Sequence, residues 1–317
     1  MKSTIFFTIT YWDDSVAFLL SKLQAVVEKY DEIIIAADVS KGDIIIPETN
    51  LEVISYSQDE LEIFGLYDKS HYKTLWKNSD FTMYYLSHQV VSDYYIQIEA
   101  DVLVSKSTIL QLMSGIDQGL DYIFLDTWLA EKKQGLWYWS DTYTDNKKLD
   151  YVEPFVGVDK QIWAVSKKVI DEVLLPARRA QSKLTLDGIK IPNDEFFLGM
   201  TLVKSTKLQG QNLFYQVPHL NIKWNDSKYF GDFITQTDDI FVHPVRSAVA
   251  AISSLIEKNG ITKSDLIKEN SYLKTHLLIN IRKEQLDWTL TENQLVTLSQ
   301  NTGVSIDNIN KIFLDYL

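Results

Sequence analysis

Asp93-Tyr94-Tyr95-Ile96-Gln97-Ile98-Glu99-Ala100-Asp101-Val102-Leu103-Val104 is an apolar, aromatic-rich run that ends in two carboxylates one residue apart. Tyr94 to Ile98 carries β-branched and aromatic residues, no Gly or Pro, and no helical period, which predicts a buried strand. Residues i and i+2 of a strand point to the same side. Glu99 and Asp101 therefore leave the strand end together as a small, hard, anionic pair. Such a pair suits Mg²⁺ or Mn²⁺, which take oxygen ligands and bind through one or two carboxylates plus substrate phosphates. An isolated acid-x-acid triplet is more often two solvated charges. Here an almost wholly apolar strand delivers the acids, so they do not belong to an acidic surface run.

The segments before it have the rhythm of an α/β sheet. Residues 4–11 predict a first buried strand. A helix follows from Asp13 or Asp14, either of which can cap it, with Val16, Leu19, Leu20, Leu23, Val26 and Val27 at helical spacing. Ile33 to Ala37 predict a second strand ending at Asp38, and Leu51 to Tyr56 a third. Short apolar strands alternating with helices argue for a mostly parallel sheet covered on both faces. Ligands of such sheets bind at the carboxyl ends of the strands. Tyr11, Trp12, Asp13, Asp38 and Asp101 all fall at such ends. Residues 71–91 predict a long helix bearing Leu75, Trp76, Phe81, Tyr84, Tyr85 and Leu86. Lys73, Lys77 and Asp80 lie along it, and each taken alone reads as part of a solvated helix face.

Beyond the central run, Ser105 to Ile116 predict a helix capped by Ser105 or Ser107, and Asp121 to Asp126 another buried strand. Periodicity is lost over residues 128–150, where Trp128, Trp137, Tyr138, Trp139 and Tyr143 mix with polar residues. Long irregular stretches inside a domain are usually functional or disordered, and this much aromatic mass argues against disorder. The stretch reads as a loop over the site, with aromatics such as Trp137 and Trp139 available to an acceptor sugar or a flat apolar group, or equally as a satellite core. Gln161 to Val165 predict a strand, and Lys167 to Leu175 a helix stopped by Pro176. Pro192-Asn193-Asp194-Glu195 before an apolar run predicts a helix start. Asp194 and Glu195 then sit in its first turn, where the macrodipole favours anions and lowers a carboxylate pKa. A capping acid accounts for one of the two. Leu213 to Val217 predict a late strand. In His243-Pro244-Val245-Arg246, Pro244 stiffens a turn between a strand and a following helix. An imidazole that can complete a metal's coordination and a guanidinium that can fork onto phosphate then stand close together. A lone His is more often structural, but this acidic chain has only five. From about residue 250 helical patterns take over. The organisation expected is a domain over 1–250 and a helical appendage over 251–317, available for oligomer or partner contacts.

Composition narrows the classes. The 317 residues carry 31 basic and 43 acidic side chains, a net charge of −12, which disfavours a general nucleic-acid binder. With no Cys, disulfides, zinc-thiolate sites and thiol catalysis are excluded. The first residues are too short and interrupted for a signal peptide, and no run reaches the roughly 20 apolar residues of a membrane span. A cytoplasmic protein is expected, with peripheral attachment at the inner face of the membrane compatible with the sequence.

Taken in order, the β-α-β opening, the strand ending in Glu99-Ala100-Asp101, the Asn193-Asp194-Glu195 helix start and the late His243-Pro244-Val245-Arg246 resemble a GT-A-type glycosyltransferase. The segment from Lys73 to Val104 resembles bacterial members of that group. The resemblance spans roughly residues 1–246. It implies a Rossmann-like, mostly parallel sheet and transfer of a sugar from a nucleotide-sugar donor to a glycan, lipid-linked or protein acceptor. It also implies Mn²⁺ or Mg²⁺ held by Glu99 and Asp101, with His243 as a third ligand or a donor to phosphate. This chain has Glu where the family's triplet opens with Asp. By the same resemblance Tyr11, Asp38, Lys77, Asp80 and Arg246 serve the nucleotide sugar, and Asp194, then Glu195, is the base of an inverting reaction. Two other readings compete. A nucleotidyltransferase or other phosphoryl-transfer enzyme would also use paired carboxylates and Mg²⁺, but Thr10 to Asp14 lacks a Gly-rich phosphate loop. A non-catalytic carbohydrate-binding protein could keep the fold and lose the chemistry.

Overall fold

Ser3–Ile9, wholly buried and rich in Ile and Phe, is the first strand (β1) of a seven-stranded sheet. In this computed structural model the described residues are 1–27, 32–68, 78–129, 151, 154–189, 191–213, 220–222, 228–235, 239–247 and 307. Asp13 caps helix α1 (Asp14–Val26), its Oδ1 accepting the Val16 amide at 3.0 Å. Strands β2 (Glu32–Asp38), β3 (Glu52–Tyr56) and β4 (Tyr94–Glu99) follow. β1 pairs in parallel with β2 and β4, and β2 with β3. The sheet order is β3-β2-β1-β4-β8-β5-β9. Only β8 (Ile162–Ser166) runs against its neighbours, β4 and β5 (Tyr122–Phe124). β9 (Gly210–Asn212) closes the edge beside β5. The sheet is thus the mostly parallel α/β sheet expected.

Past Leu125 the chain of β5 continues as β6 (Asp126–Leu129), which pairs with β7 (Val156–Asp159) in a two-stranded ribbon. The register changes where ribbon meets sheet. Ile123 faces Ala164 in the sheet, and Asp126 faces Asp159 in the ribbon. Three steps on one strand therefore answer five on the other. The surplus is Lys160 and Gln161, a bulge.

The main core gathers Phe6, Tyr56, Phe81, Tyr95, Phe124, Trp163, Phe197 and their neighbours. Its helices include α2 (Gln58–Ile63), with a capping box from Ser57 and Glu60, and α3 (Asp80–Leu86), whereas α4 (Lys106–Asp117), capped by Ser105, buries Ile109, Leu112 and Ile116 outside that cluster. A run from Lys167–Val169 through a π turn, Ile170–Leu174, leads to α5 (Leu175–Leu184). Asn193 caps α6 (Asp194–Leu198), followed by a second π turn, Gly199–Val203.

Several expectations need correction. The helix foreseen over 71–91 ends, in its described part, at Leu86. The Tyr95 hydroxyl shares its one proton between the carbonyls of Val90 at 2.6 Å and Ser87 at 3.0 Å, so β4 anchors the turn beyond the helix. Pro176 does not stop its helix. It stands in the first turn of α5, straight after the π turn, where a missing amide and a wider backbone spacing remove the usual clash. Trp128 is not in an irregular loop but in β6, packed with Val156, Phe196 and Met200 in a small second core. The strand expected over Leu213 to Val217 lies, from residue 214 on, outside the described residues; β9 precedes it. Pro244 leads into a strand rather than a helix.

The chain divides into two units. The first holds Met1–Trp12, Lys22–Ala100 and Val104–Leu220, and the second Asp13–Ser21, Asp101–Leu103 and Asn221–Leu317. The sheet and both cores belong to the first. In the second, which takes up β10 (Leu220–Ile222) from Asn221 on, β12 (Phe241–His243) joins β10, and β13 (Val245–Arg246) runs parallel to β11 (Lys228–Tyr229). The His243-Pro244 peptide bond is cis. Of the helical patterns expected after residue 250, only Asp307, helical, is described. Among the described residues no helix is long and apolar enough to cross a membrane.

Candidate active site

Parallel pairing aligns the carboxyl ends of β1, β2 and β4 on one edge, with Thr8 beside Glu99 and Ile9 beside Ala37. Tyr11, Asp38 and Glu99 therefore follow strands that end along the same edge. Tyr11 is 38% exposed. Asp38 turns the chain back, its Oδ1 accepting the Ser40 amide at 2.9 Å.

In the first unit, Lys160 is the centre of a buried polar network. Its Nζ lies 3.0 Å from Asp194 Oδ2 and 3.2 Å from Glu99 Oε1, and it donates to Ser79 Oγ. Asp194 Oδ2 also accepts the Ser79 amide at 2.7 Å and hydroxyl at 2.9 Å, and its Oδ1 takes the Glu195 amide at 2.8 Å. Asp194 is fully buried, whereas Glu195 is half-buried, with Asn193 Nδ2 3.3 Å from its Oε2. Gln97, inside β4, supports Ser79 from below: its Nε2 donates to the Ser79 carbonyl at 3.1 Å, and Trp163 Nε1 donates to its Oε1 at 2.9 Å. Burial acts to strip the Lys160 proton, but Asp194, Glu99 and Glu195 outweigh it and hold the ammonium above the ordinary lysine range.

A second buried pair lies beside this network. Arg178 Nε donates to Asp80 Oδ2 at 2.9 Å, and its two terminal nitrogens donate to Asn78 Oδ1 at 2.7 Å and the Pro192 carbonyl at 3.0 Å. The guanidinium also stacks 4.5 Å from the Phe197 ring centre. Burial pushes the Asp80 carboxyl up to about 6 against the pull of Arg178, with Asp194 adding to the rise. Asp80 is thus no solvated helix-face charge: the end of α3 is pinned to α5 and to the loop before α6.

The second unit holds the other predicted residues. Leu103 bridges to Val242, and the Val245 amide donates to the Asp101 carbonyl at 2.7 Å. These backbone ties bring Asp101 against the His-Pro-Val-Arg turn. His243 Nε2 is 3.4 Å from Asp101 Oδ1, and Arg246 donates to Asp101 Oδ2 at 3.1 Å. Burial would raise the Asp101 pKa, but the imidazole and guanidinium outweigh it and keep the carboxyl well below the usual carboxylate range. An ionised carboxylate and an imidazole side by side are a donor set for a hard or borderline divalent cation, and the guanidinium next to them is of a kind that can fork onto phosphate.

The structure therefore joins Glu99 to Asp194 through Lys160, and Asp101 to His243 and Arg246. Lys77, Trp137 and Trp139 lie outside the described residues. Reading the sequence missed Lys160, Ser79 and Arg178. A lysine between two apolar strands, in Val158-Asp159-Lys160-Gln161-Ile162, was the available signal for the first. Arg178, in Ala177-Arg178-Arg179-Ala180, gave none.

No protein-family model matches the chain, and no curated protein matches it. Solved structures do. Glucosyl-3-phosphoglycerate synthase from Mycobacterium tuberculosis, with Mn²⁺, UDP-glucose and phosphoglyceric acid, is 10% identical. That match covers 83% of this chain and 81% of the other, with a TM-score of 0.41. With another structure of that enzyme, at 9% identity and a TM-score of 0.34, the chain covers only 56% of the other's length and 53% of its own is matched. The galactosyltransferase LgtC with donor and acceptor sugar analogues is 11% identical over 75% of this chain and 80% of that one, with a TM-score of 0.40. CMP:2-keto-3-deoxy-manno-octonic acid synthetase with CTP is 12% identical over 61% of this chain and 88% of that one, with a TM-score of 0.30.

Proposed function

We propose that the chain is a metal-dependent glycosyltransferase. It would move a sugar from a nucleotide-sugar donor to a hydroxyl of a glycan, lipid-linked or protein acceptor, inverting the anomeric carbon. The observation that carries this reading is the Asp101 carboxylate held between His243 at 3.4 Å and Arg246 at 3.1 Å, directly after the central parallel strand. The oxygen and nitrogen donors of Asp101 and His243 fit Mn²⁺ or Mg²⁺. Glu99, two residues earlier in the chain, is the third donor in this proposal. When bound, the cation neutralises charge on the departing diphosphate. Arg246 forks onto the same phosphates. Tyr11 and Asp38 serve the nucleoside, Lys77 the donor phosphates, and Trp137 and Trp139 the acceptor. Asp80 supports the site through Arg178 and the Ser79 segment.

Of the two acids at the start of α6, Asp194 spends its oxygens on Ser79, Lys160 and the Glu195 amide. We therefore assign proton abstraction to Glu195 and give Asp194 the task of fixing the turn. The acceptor oxygen bonds to the anomeric carbon as the bond to the diphosphate oxygen breaks. Its proton passes to Glu195 and the bonding pair leaves on the diphosphate.

The test is a thermal-shift screen of nucleoside diphosphates, nucleotide sugars and nucleoside triphosphates, with and without Mn²⁺, on the wild type and Asp101→Ala. A ligand that binds the native state raises the melting temperature by mass action. A Mn²⁺-dependent shift with one nucleotide sugar, lost in Asp101→Ala, is expected. Shifts with triphosphates alone would replace the reading with nucleotidyl transfer.

A further inference from the structure

Lys160 is a buried cation that the proposed reaction does not require. Its side chain is 4% exposed, and its Nζ sits 3.2 Å from Glu99 Oε1 and 3.0 Å from Asp194 Oδ2. Its position is built into the sheet. Lys160 and Gln161 are the two surplus residues where the register shifts between Ile123–Ala164 and Asp126–Asp159. Bulges of this kind re-aim side chains next to active sites. The Gln161 carbonyl accepts the Glu99 amide at 3.0 Å, so the bulge holds the backbone of the residue whose carboxylate Lys160 engages. A buried ammonium carries a large desolvation penalty unless it is well paired. A neutral amide donor could tie Glu99 to Asp194 without that penalty, but would leave Glu99 fully available to a metal.

We propose that Lys160 is a positioning residue that sets the affinity for the divalent cation. It acts as an internal counter-ion for Glu99, so the cation binds weakly alone and gains affinity when a diphosphate adds its negative charge. The inference rests on the reading of Glu99 and Asp101 as metal ligands.

The experiment measures free Mn²⁺ by electron paramagnetic resonance in titrations of the full chain, without nucleotide. Lys160→Met alone leaves Asp194 a buried unpaired carboxylate and is prone to misfold. The comparison is therefore Lys160→Met/Asp194→Asn against Asp194→Asn, with folding checked by a cooperative urea transition. Removing the cation next to Glu99 is expected to tighten Mn²⁺ binding roughly tenfold. Lys160→Arg, which keeps the charge, should bind Mn²⁺ as the wild type does. A purely structural lysine would leave the affinity of the folded pair equal or weaker in the double variant, and that result overturns the proposal. Asp101→Asn separates the two ideas. If it binds Mn²⁺ as well as the wild type, the metal site itself is wrong. If it loses binding while the Lys160 comparison shows no change, only the counter-ion role falls.

Discussion

Asp80 shows how a single buried carboxyl shapes the acid-base behaviour of this fold. Burial raises its pKa to about 6 in the folded chain, against about 3.9 when unfolded. The sign follows from linkage: a raised folded pKa means that the folded state binds the proton more tightly. The stability this contributes is fully present below about pH 4 and is lost as pH rises through 6, by at most about 3 kcal/mol. Urea unfolding at pH 4.5 and 7.5 should show the wild type losing about 2 kcal/mol relative to Asp80→Asn over that interval. A constant gap between the two would contradict it. Glu195 gives a second prediction at this scale. If it takes the acceptor's proton, Glu195→Gln should lower kcat by about 10²–10⁴-fold with donor affinity unchanged. An equal loss in donor binding, read by calorimetry, would argue for a binding role instead.

At the scale of elements, Gly199 is the tightest joint between strand and helix among the described residues. A Cβ there would lie 2.3 Å from the Val156 carbonyl oxygen, backbone against backbone, with no flexible side chain to give way. Gly199→Ala should destabilise the fold by roughly 1–3 kcal/mol and shift the turn that carries Glu195, visible as a lower melting temperature. An unchanged melting temperature would mean that the π turn relaxes freely. Elements with a strong pattern were legible in the sequence. The apolar runs of β1, β2 and β4, the Ser105 cap of α4 and the Asn193 cap of α6 each need only local chemistry to be read. The candidate site was legible to the extent that acids sat at strand ends and His243 and Arg246 sat together. Lys160 was not, because its role arises from a register shift between two strand pairs, which no local window contains. Arg178 was not, because an arginine on a polar helix looks the same whether it meets water or Asp80. Pro176 misled for a related reason: a helix breaker is harmless where a π turn already loosens the ladder.

For the molecule as a whole, the net charge of −12 is the governing electrostatic fact. In the proposed reaction an anionic nucleotide sugar would approach an anionic protein. Arg246 and the proposed metal would act only within a Debye length of about 8–10 Å at ordinary salt. Raising the salt should therefore screen the long-range repulsion first, and donor association at fixed Mn²⁺ should quicken by a few-fold between about 20 and 150 mM salt. Stopped-flow rates that fall steadily over this range would show local attraction in command. The one reversed strand, β8, has a consequence for how this protein can vary. Loops after the parallel strands can grow without disturbing the sheet, as insertions usually do at chain turns. The passage from β7 to β8 has only Lys160 and Gln161 to spare, and both are already engaged. If Lys160 is the proposed counter-ion, length changes among homologues should accumulate after β2 and stay out of this turn, leaving that counter-ion as the fixed part of a site whose rim is free to diversify.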